Sequence, residues 1–189
     1  MWKDNIVKLM SCLDNLIATD SNSQEICCDN AFLQLKEKTD RLRVNKGTIF
    51  LVGNGASSSM ASHVSADLAK NAHVHTQVFT DLSLITAIAN DISYDAVFSE
   101  PLRKRMHKDD MLVAISSSGN SKNILNAAKV AQEQGGYVVT LSAMKPENPL
   151  RRLGHVNFYV PATTYGMAET SHNAILHYWI DLMTGDACV

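Results

Sequence analysis

Two stretches of the chain share one grammar, and together they restrict the fold more than any other feature. Thr48 to Ser59 reads TIFLVGNGASSS, and Met111 to Ser121 reads MLVAISSSGNS. Each is a short apolar run, then a loop of Gly, Ser and Asn, then a segment that reads as a helix. A short apolar run bounded by turn residues suits a strand buried on both faces of a parallel sheet. Small loop residues let backbone N–H groups approach a ligand, and serine hydroxyls add donors. A helix that starts directly after the loop aims its positive dipole end at the same spot. Two such units in one chain point to a cradle for a phosphorylated small molecule.

The rest of the chain is compatible with one domain around that cradle. Its 189 residues suffice for a full core, and 46% apolar with 19% charged residues is ordinary for a soluble globular chain. A net charge of −2 recruits neither nucleic acid nor an anionic membrane. The basic cluster Arg103-Lys104-Arg105, with Lys108, reads as a solvated helix face. No apolar stretch approaches the ~20 residues of a membrane span. The start, MWKDNIVKLM, has an early acid and no small-residue cleavage site, so it does not read as a signal peptide. Cys12, Cys27, Cys28 and Cys188 are unevenly spaced and form no CxxC, which predicts packing thiols in the reducing cytoplasm.

Apolar periodicity predicts a helix over 2–18 and a second from about Gln24 to Arg43, with the polar segment Thr19 to Gln24 breaking the hairpin. The stripe of this hairpin suits either the chain's own sheet or another subunit. Strands are expected at Thr48, around Thr76 to Phe79, at Met111 to Ile115, Tyr137 to Leu141 and Val156 to Val160. Helices are expected over Met60–Lys70, Ser83–Ala89, Asp95–Arg105, Ser121–Gln134 and Met167–Thr184. This alternation predicts a three-layer α/β sandwich with a five-stranded parallel sheet, preceded by an N-terminal helical hairpin. Residues 1–189 read as a single domain, 1–46 being the N-terminal helices and 47–189 the α/β core. Ligands of such sheets gather at the strands' carboxyl ends.

The loops are not nucleotide loops of the familiar kinds. GNGASS lacks the third glycine of the dinucleotide fingerprint, and no Lys-Ser/Thr follows as in a P-loop. With no Lys or Arg in either loop, a phosphate would be held by neutral donors, which suits a sugar monophosphate. Titratable residues sit on the attached helices. His63 and Asp67, at i and i+4, share one face. Glu169 and His177, eight residues apart, share another, with His172 at i+3 from the glutamate. Two His and two carboxylates serve equally as a metal site or an acid/base pair. The same spacing also describes a solvated face for Glu169, His172 and His177, with His63 a core group. Asn90-Asp91 interrupts an apolar run, either as a cap or to reach the ligand.

The blocks VGNGASSSMASHVSADLAK, LITAIANDISYDAVF, AISSSGNSKNILNAAK and AETSHNAILHYWID, in this order and spacing, resemble the sugar isomerase (SIS) domain family. Within that family the resemblance is to the phosphoheptose isomerases, and it covers nearly the whole chain. It implies that Ser57, Ser116, Ser117, Ser118 and Ser121 hold the phosphate, and that Asn54, Gly55, Asp91 and Glu169 contact substrate. It implies a metal cluster of His63, Asp67, Glu169 and His177, with zinc as the ion, and Asp67 and His177 as the acid/base pair. The reaction implied converts sedoheptulose 7-phosphate to D-glycero-D-manno-heptose 7-phosphate through an enediol, for heptose of surface glycans. A homotetramer with sites near subunit interfaces is implied too.

Three positions leave the family pattern. Asp67 stands where Glu is typical, Glu169 where Gln is typical, and Asn71 where a basic residue is expected, with Lys70 beside it. Two His and two carboxylates would offset these changes around a divalent cation. The same departures suit an isomerase of another ketose phosphate. A non-catalytic SIS protein that binds a sugar phosphate or a partner as a regulator is the reading from a different class.

Overall fold

Strict alternation governs the middle of the sheet. In β3 (Thr48–Gly53), Ile49 and Leu51 point to one side and Phe50 and Val52 to the other, and all four are no more than 1% exposed. Both faces must therefore be covered by helices, as in parallel sheets generally. The computed structural model describes residues 1–186. In chain order these form α1 (Trp2–Asp14), β1 (Ile17–Asp20), β2 (Glu25–Ile26), α2 (Cys28–Asn45), β3, α3 (Ala56–Asn71), β4 (His75–Val78) and α4 (Leu82–Asp91). There follow α5 (Ser99–Arg105), β5 (Met111–Ser116), α6 (Lys122–Glu133), β6 (Tyr137–Ala143), β7 (Val156–Val160) and α7 (Tyr165–Thr184). Cys188 lies outside the described residues.

The sheet order is β2-β1-β7-β6-β5-β3-β4. From β7 to β4 every pairing is parallel. Residues of α2, α3 and α7 pack on one face with Ile49, Met111, Val139 and Phe158. Residues of α5 and α6 pack on the other with Phe50, Leu112 and Val138. The expected three-layer α/β sandwich is present. At about 25 cal/mol per Å² of apolar surface removed from water, these two layers supply most of the drive to fold. Trp179, fully buried in α7, donates from Nε1 to Thr39 Oγ1 of α2 at 3.1 Å and so locks those helices together.

The sheet carries seven strands rather than five. Thr19 to Gln24 does not simply break a helical hairpin. Residues 17–20 pair antiparallel with β7, Ala18 opposite Phe158, and β2 pairs with β1. The physical reason is the outer edge of β7, whose backbone groups need partners that a helix cannot give. Asp20 shapes the turn: its Oδ1 accepts from the N–H groups of Asn22 and Gln24 at 2.8 and 2.9 Å. α2 then buries Phe32, Leu35 and Leu42 against the chain's own sheet. α1 buries only Cys12, and Trp2, Ile6, Val7 and Met10 remain exposed. Among the described residues no helix is long and apolar enough to cross a membrane.

Candidate active site

The two serine loops meet at the carboxyl ends of β3 and β5. After β3 the chain turns at Asn54-Gly55, and Gly55 is the N-cap of α3. The turn is tight: a Cβ on Gly53 would lie 2.6 Å from the backbone of Ser57. After β5, Ser116 to Ser118 lead into a bend at Gly119 (φ +60), and Ser121 is the N-cap of α6. Side chains do not fit at Gly119, where a Cβ would fall 1.9 Å from Asn148 Oδ1. Between the loops lies a cavity of about 310 Å³ lined by Asn54, Gly55, Ser57, Ser116, Ser117, Ser118, Ser121, Tyr165 and Glu169, with Ala56 and Ile115.

Three helices, α3, α6 and α7, begin at this cavity, so three positive dipole ends and their free N–H groups converge there. No Lys or Arg lines it. The Ser116 hydroxyl approaches that of Ser121 at 3.4 Å, while Ser118 and Ser121 are half-buried. Such a wall offers an anion hydroxyls, backbone N–H groups and dipoles rather than a full countercharge. The expected serines and Asn54 and Gly55 are thus brought together. Glu169, one turn into α7, joins them.

Asn54 has a partner without a sequence expectation, Asn123, and the two hold the loops in register. Asn123, 2% exposed on α6, exchanges two hydrogen bonds with Asn54, each 2.9 Å. The Tyr94 hydroxyl adds a third contact, donating to Asn54 Oδ1 at 3.1 Å. A signal existed: Asn123, Ala127 and Val130 stand at i, i+4 and i+7, so a polar side chain occupies the buried stripe of α6. Asp91 is exposed at the end of α4, where it accepts from Asn90 Nδ2 at 2.9 Å, and it does not line the cavity.

On α3 and α7 the second cluster forms. His63, Asp67 and His177 each offer a donor atom, all within 4.8 Å of one another. His63 Nε2 and Asp67 Oδ2 are 3.3 Å apart, and the rings of His63 and His177 have centroids 5.4 Å apart. His63 is exposed, not a core group, and the other two are half-buried. Imidazole nitrogens with one carboxylate oxygen are a donor set that zinc accepts, so the residues fit that ion. Glu169 stands apart from these three, at the cradle. Seven residues of helix separate Ala56 from His63, about 10 Å at the usual rise of 1.5 Å per residue. His172 corrects the picture of a solvated face: it is fully buried, and both ring nitrogens lack a hydrogen-bond partner. Burial lowers its pKa to about 4, and the nearby Ser142 backbone opposes this only in part.

Comparison with known proteins agrees with this geometry. The SIS domain family matches residues 39–143. A phosphoheptose isomerase of Coxiella burnetii is 33% identical over 175 residues, 88% of this chain and 87% of the relative. A phosphoheptose isomerase of Dechloromonas aromatica is 33% identical over 146 residues, 73% of this chain and 74% of the relative. The solved phosphoheptose isomerase of Neisseria gonorrhoeae superposes with a TM-score of 0.74 at 30% identity, covering 82% of this chain and 86% of that one. A serine-lined cradle on a parallel sheet, a His-Asp-His cluster beside it and identity at this level lead to one conclusion: the chain belongs to the phosphoheptose isomerase family of SIS domains.

Proposed function

We propose that this protein is an aldose–ketose isomerase that converts sedoheptulose 7-phosphate to D-glycero-D-manno-heptose 7-phosphate, feeding heptose into surface glycans. The observation that carries the reading is the coexistence of a cradle of serine hydroxyls and helix N-termini with a separate cluster of proton-handling groups about 10 Å along the same helix. A sugar phosphate anchored by its phosphate in the cradle reaches that cluster only if its carbon chain is long. The substrate names borne by the relatives match that requirement.

In the proposed mechanism the cradle holds the phosphate still, through Ser57, Ser116, Ser117, Ser118, Ser121 and the N–H groups at Gly55. Asn54, Asp91 and Glu169 are assigned to the sugar hydroxyls. One of Asp67 and His177 removes the proton from C1 of the ketose, next to the carbonyl, which leaves an enediol. The other passes a proton to the C2 oxygen, after which a proton returns to C2 and the O1 proton leaves, completing the aldehyde. His63, Asp67 and His177 are the residues that would hold zinc, which when bound supplies Lewis-acid polarisation of the substrate oxygens, while Glu169, expected among them, lines the cradle instead. A carboxylate has two oxygens and imidazole two nitrogens, so Asp67 and His177 could each hold an ion through one atom and would still have a second for the proton.

Residues 1–189 act in this reading as one SIS domain, with 1–46 extending the 47–189 core. The row Trp2, Ile6, Val7 and Met10 supports burial against further copies, in a homotetramer with sites near subunit interfaces. The unpaired Cys12, Cys27 and Cys28 support a cytoplasmic location.

A panel of ketose phosphates incubated with the protein, with aldose products read by NMR, tests the activity. Sedoheptulose 7-phosphate is expected to turn over, and Asp67→Asn and His177→Ala to lower kcat by roughly 10²- to 10⁴-fold while retaining sugar phosphate binding. Binding without turnover of any ketose would replace the enzyme by a sugar-phosphate sensor. Normal turnover by both variants would remove them from catalysis.

A further inference from the structure

Away from the cradle, a second cavity opens beside the β6–β7 connection. It measures about 220 Å³ and is lined by Thr19, Ser23, Pro146, Arg151 and Arg152, none of which touches the first cavity. That is far above the ~15 Å³ that a single water needs. Both arginines belong to a 3-10 turn over Pro149–Arg152. Among the described residues neither pairs with a carboxylate within 4.0 Å. Two unpaired guanidiniums on one small cavity are unusual in a chain whose net charge is −2.

The cavity has features of a built site. Arg151 is half-buried and doubly held: Nη1 donates to the Pro146 carbonyl at 2.9 Å, and the guanidinium lies 4.5 Å above the Tyr159 ring. These contacts fix the fork and leave other N–H groups free. Thr19 is 4% exposed, and its Oγ1 has no hydrogen-bond partner. Its neighbour Ala18 points into the α2/α7 layer, so alternation along β1 turns Thr19 to the opposite face, where this cavity lies. A buried hydroxyl without a partner is unfavourable, and an accepting ligand would satisfy it. No carboxylate lines the space. Asp20 Oδ1 is turned into its own turn, and Glu147 is exposed and outside the lining.

We propose that this cavity is a second oxyanion site, taking a phosphate monoester or a tetrahedral anion of similar size between the Arg151 and Arg152 guanidiniums and the Thr19 and Ser23 hydroxyls. Planar guanidinium forks match phosphate oxygens two at a time, which lysine does not do. The two sites therefore hold anions differently: the cradle with dipoles and hydroxyls, the second site with formal charge. They are also joined mechanically. Asn148 accepts from the Arg151 N–H at 3.2 Å and packs under Gly119 of the second serine loop, and the Leu150 N–H bonds the Gly119 carbonyl at 3.1 Å. The turn that carries the arginines also props the loop that carries Ser116 to Ser121.

Equilibrium dialysis of the full chain against labelled inorganic phosphate counts the sites. The wild type is expected to bind two phosphates per chain, Arg151→Gln/Arg152→Gln one, and the cradle variant Ser118→Asp one. Thr19→Val, which removes the hydroxyl and keeps the shape, is expected to weaken the second equivalent several-fold with circular dichroism unchanged. Two equivalents retained by Arg151→Gln/Arg152→Gln, or a single equivalent in the wild type, would overturn the proposal. Two equivalents in Ser118→Asp would instead count against the cradle, and leave the arginine site standing.

Discussion

His172 gives the structure a definite dependence on pH. Its ring is fully buried, with no partner for either nitrogen, and its pKa is lowered from 6.5 to about 4 by desolvation. In the unfolded chain the ring takes up a proton as the pH falls through 6.5, whereas in the fold it resists until about 4. Between these values the unfolded state binds more protons, so stability rises with pH in that window and is lost as pH falls. At 1.36 kcal/mol per pKa unit, the full 2.5 units between 6.5 and 4 amount to about 3 kcal/mol. That is a large fraction of the 5–15 kcal/mol typical of a domain. His172→Met keeps the volume and removes the titration. Urea unfolding at fixed protein concentration, at steps from pH 7 to 4.5, compares the two. The wild type is expected to lose stability faster than the variant by up to about 1.4 kcal/mol per pH unit below 6.5. At pH 7 the variant should be as stable or more so, because two unpartnered polar atoms have gone. Parallel curves for the two proteins would refute the assignment of a neutral, unpaired ring.

Other perturbations probe the site. Asn123→Ala breaks both amide contacts to Asn54 and should cost about 1–3 kcal/mol in chemical unfolding while raising the KM for sugar phosphate. Gly119→Ala combines positive φ with a collision at Asn148, so a loss of more than about 2 kcal/mol and a displaced second serine loop are expected, read by unfolding and by phosphate affinity. Exhaustive chelation is expected to abolish isomerase activity, and added zinc to restore it; turnover unchanged by chelation would remove the ion from the mechanism.

Particular residues show what the sequence could and could not disclose. Four of the parallel strands, β3, β5, β6 and β7, were legible because each is a mainly apolar run ended by turn residues, whereas β4, HTQV, is short and half-exposed. The serine loops were legible because their residue types repeat. β1 was not: four residues of mixed character, IATD, become a strand only because β7 offers an edge more than a hundred residues away. Local periodicity carries no trace of such a partner. His172 lies between. Ala168, His172, Ile175 and Trp179 form one buried stripe at i−4, i, i+3 and i+7, which outranks its spacing from Glu169. Nothing local linked Asn54 to Asn123, since their pairing depends on the crossover that sets β3 beside β5. Glu169 and His177 share a helix, but their separation placed one at the cradle and the other at the His-Asp-His cluster.

The pairing of β1 with β7 also sets an order of events during synthesis. Ala18 leaves the ribosome early and must wait for Phe158 before its strand has a partner. Until then α1, with Trp2, Ile6, Val7 and Met10 uncovered, belongs to a chain whose sheet is unfinished. Long-range closure of this kind slows folding and prolongs exposure of apolar surface. α1 thus stays uncovered until α7, a much later element that packs against both α1 and α2, has been made.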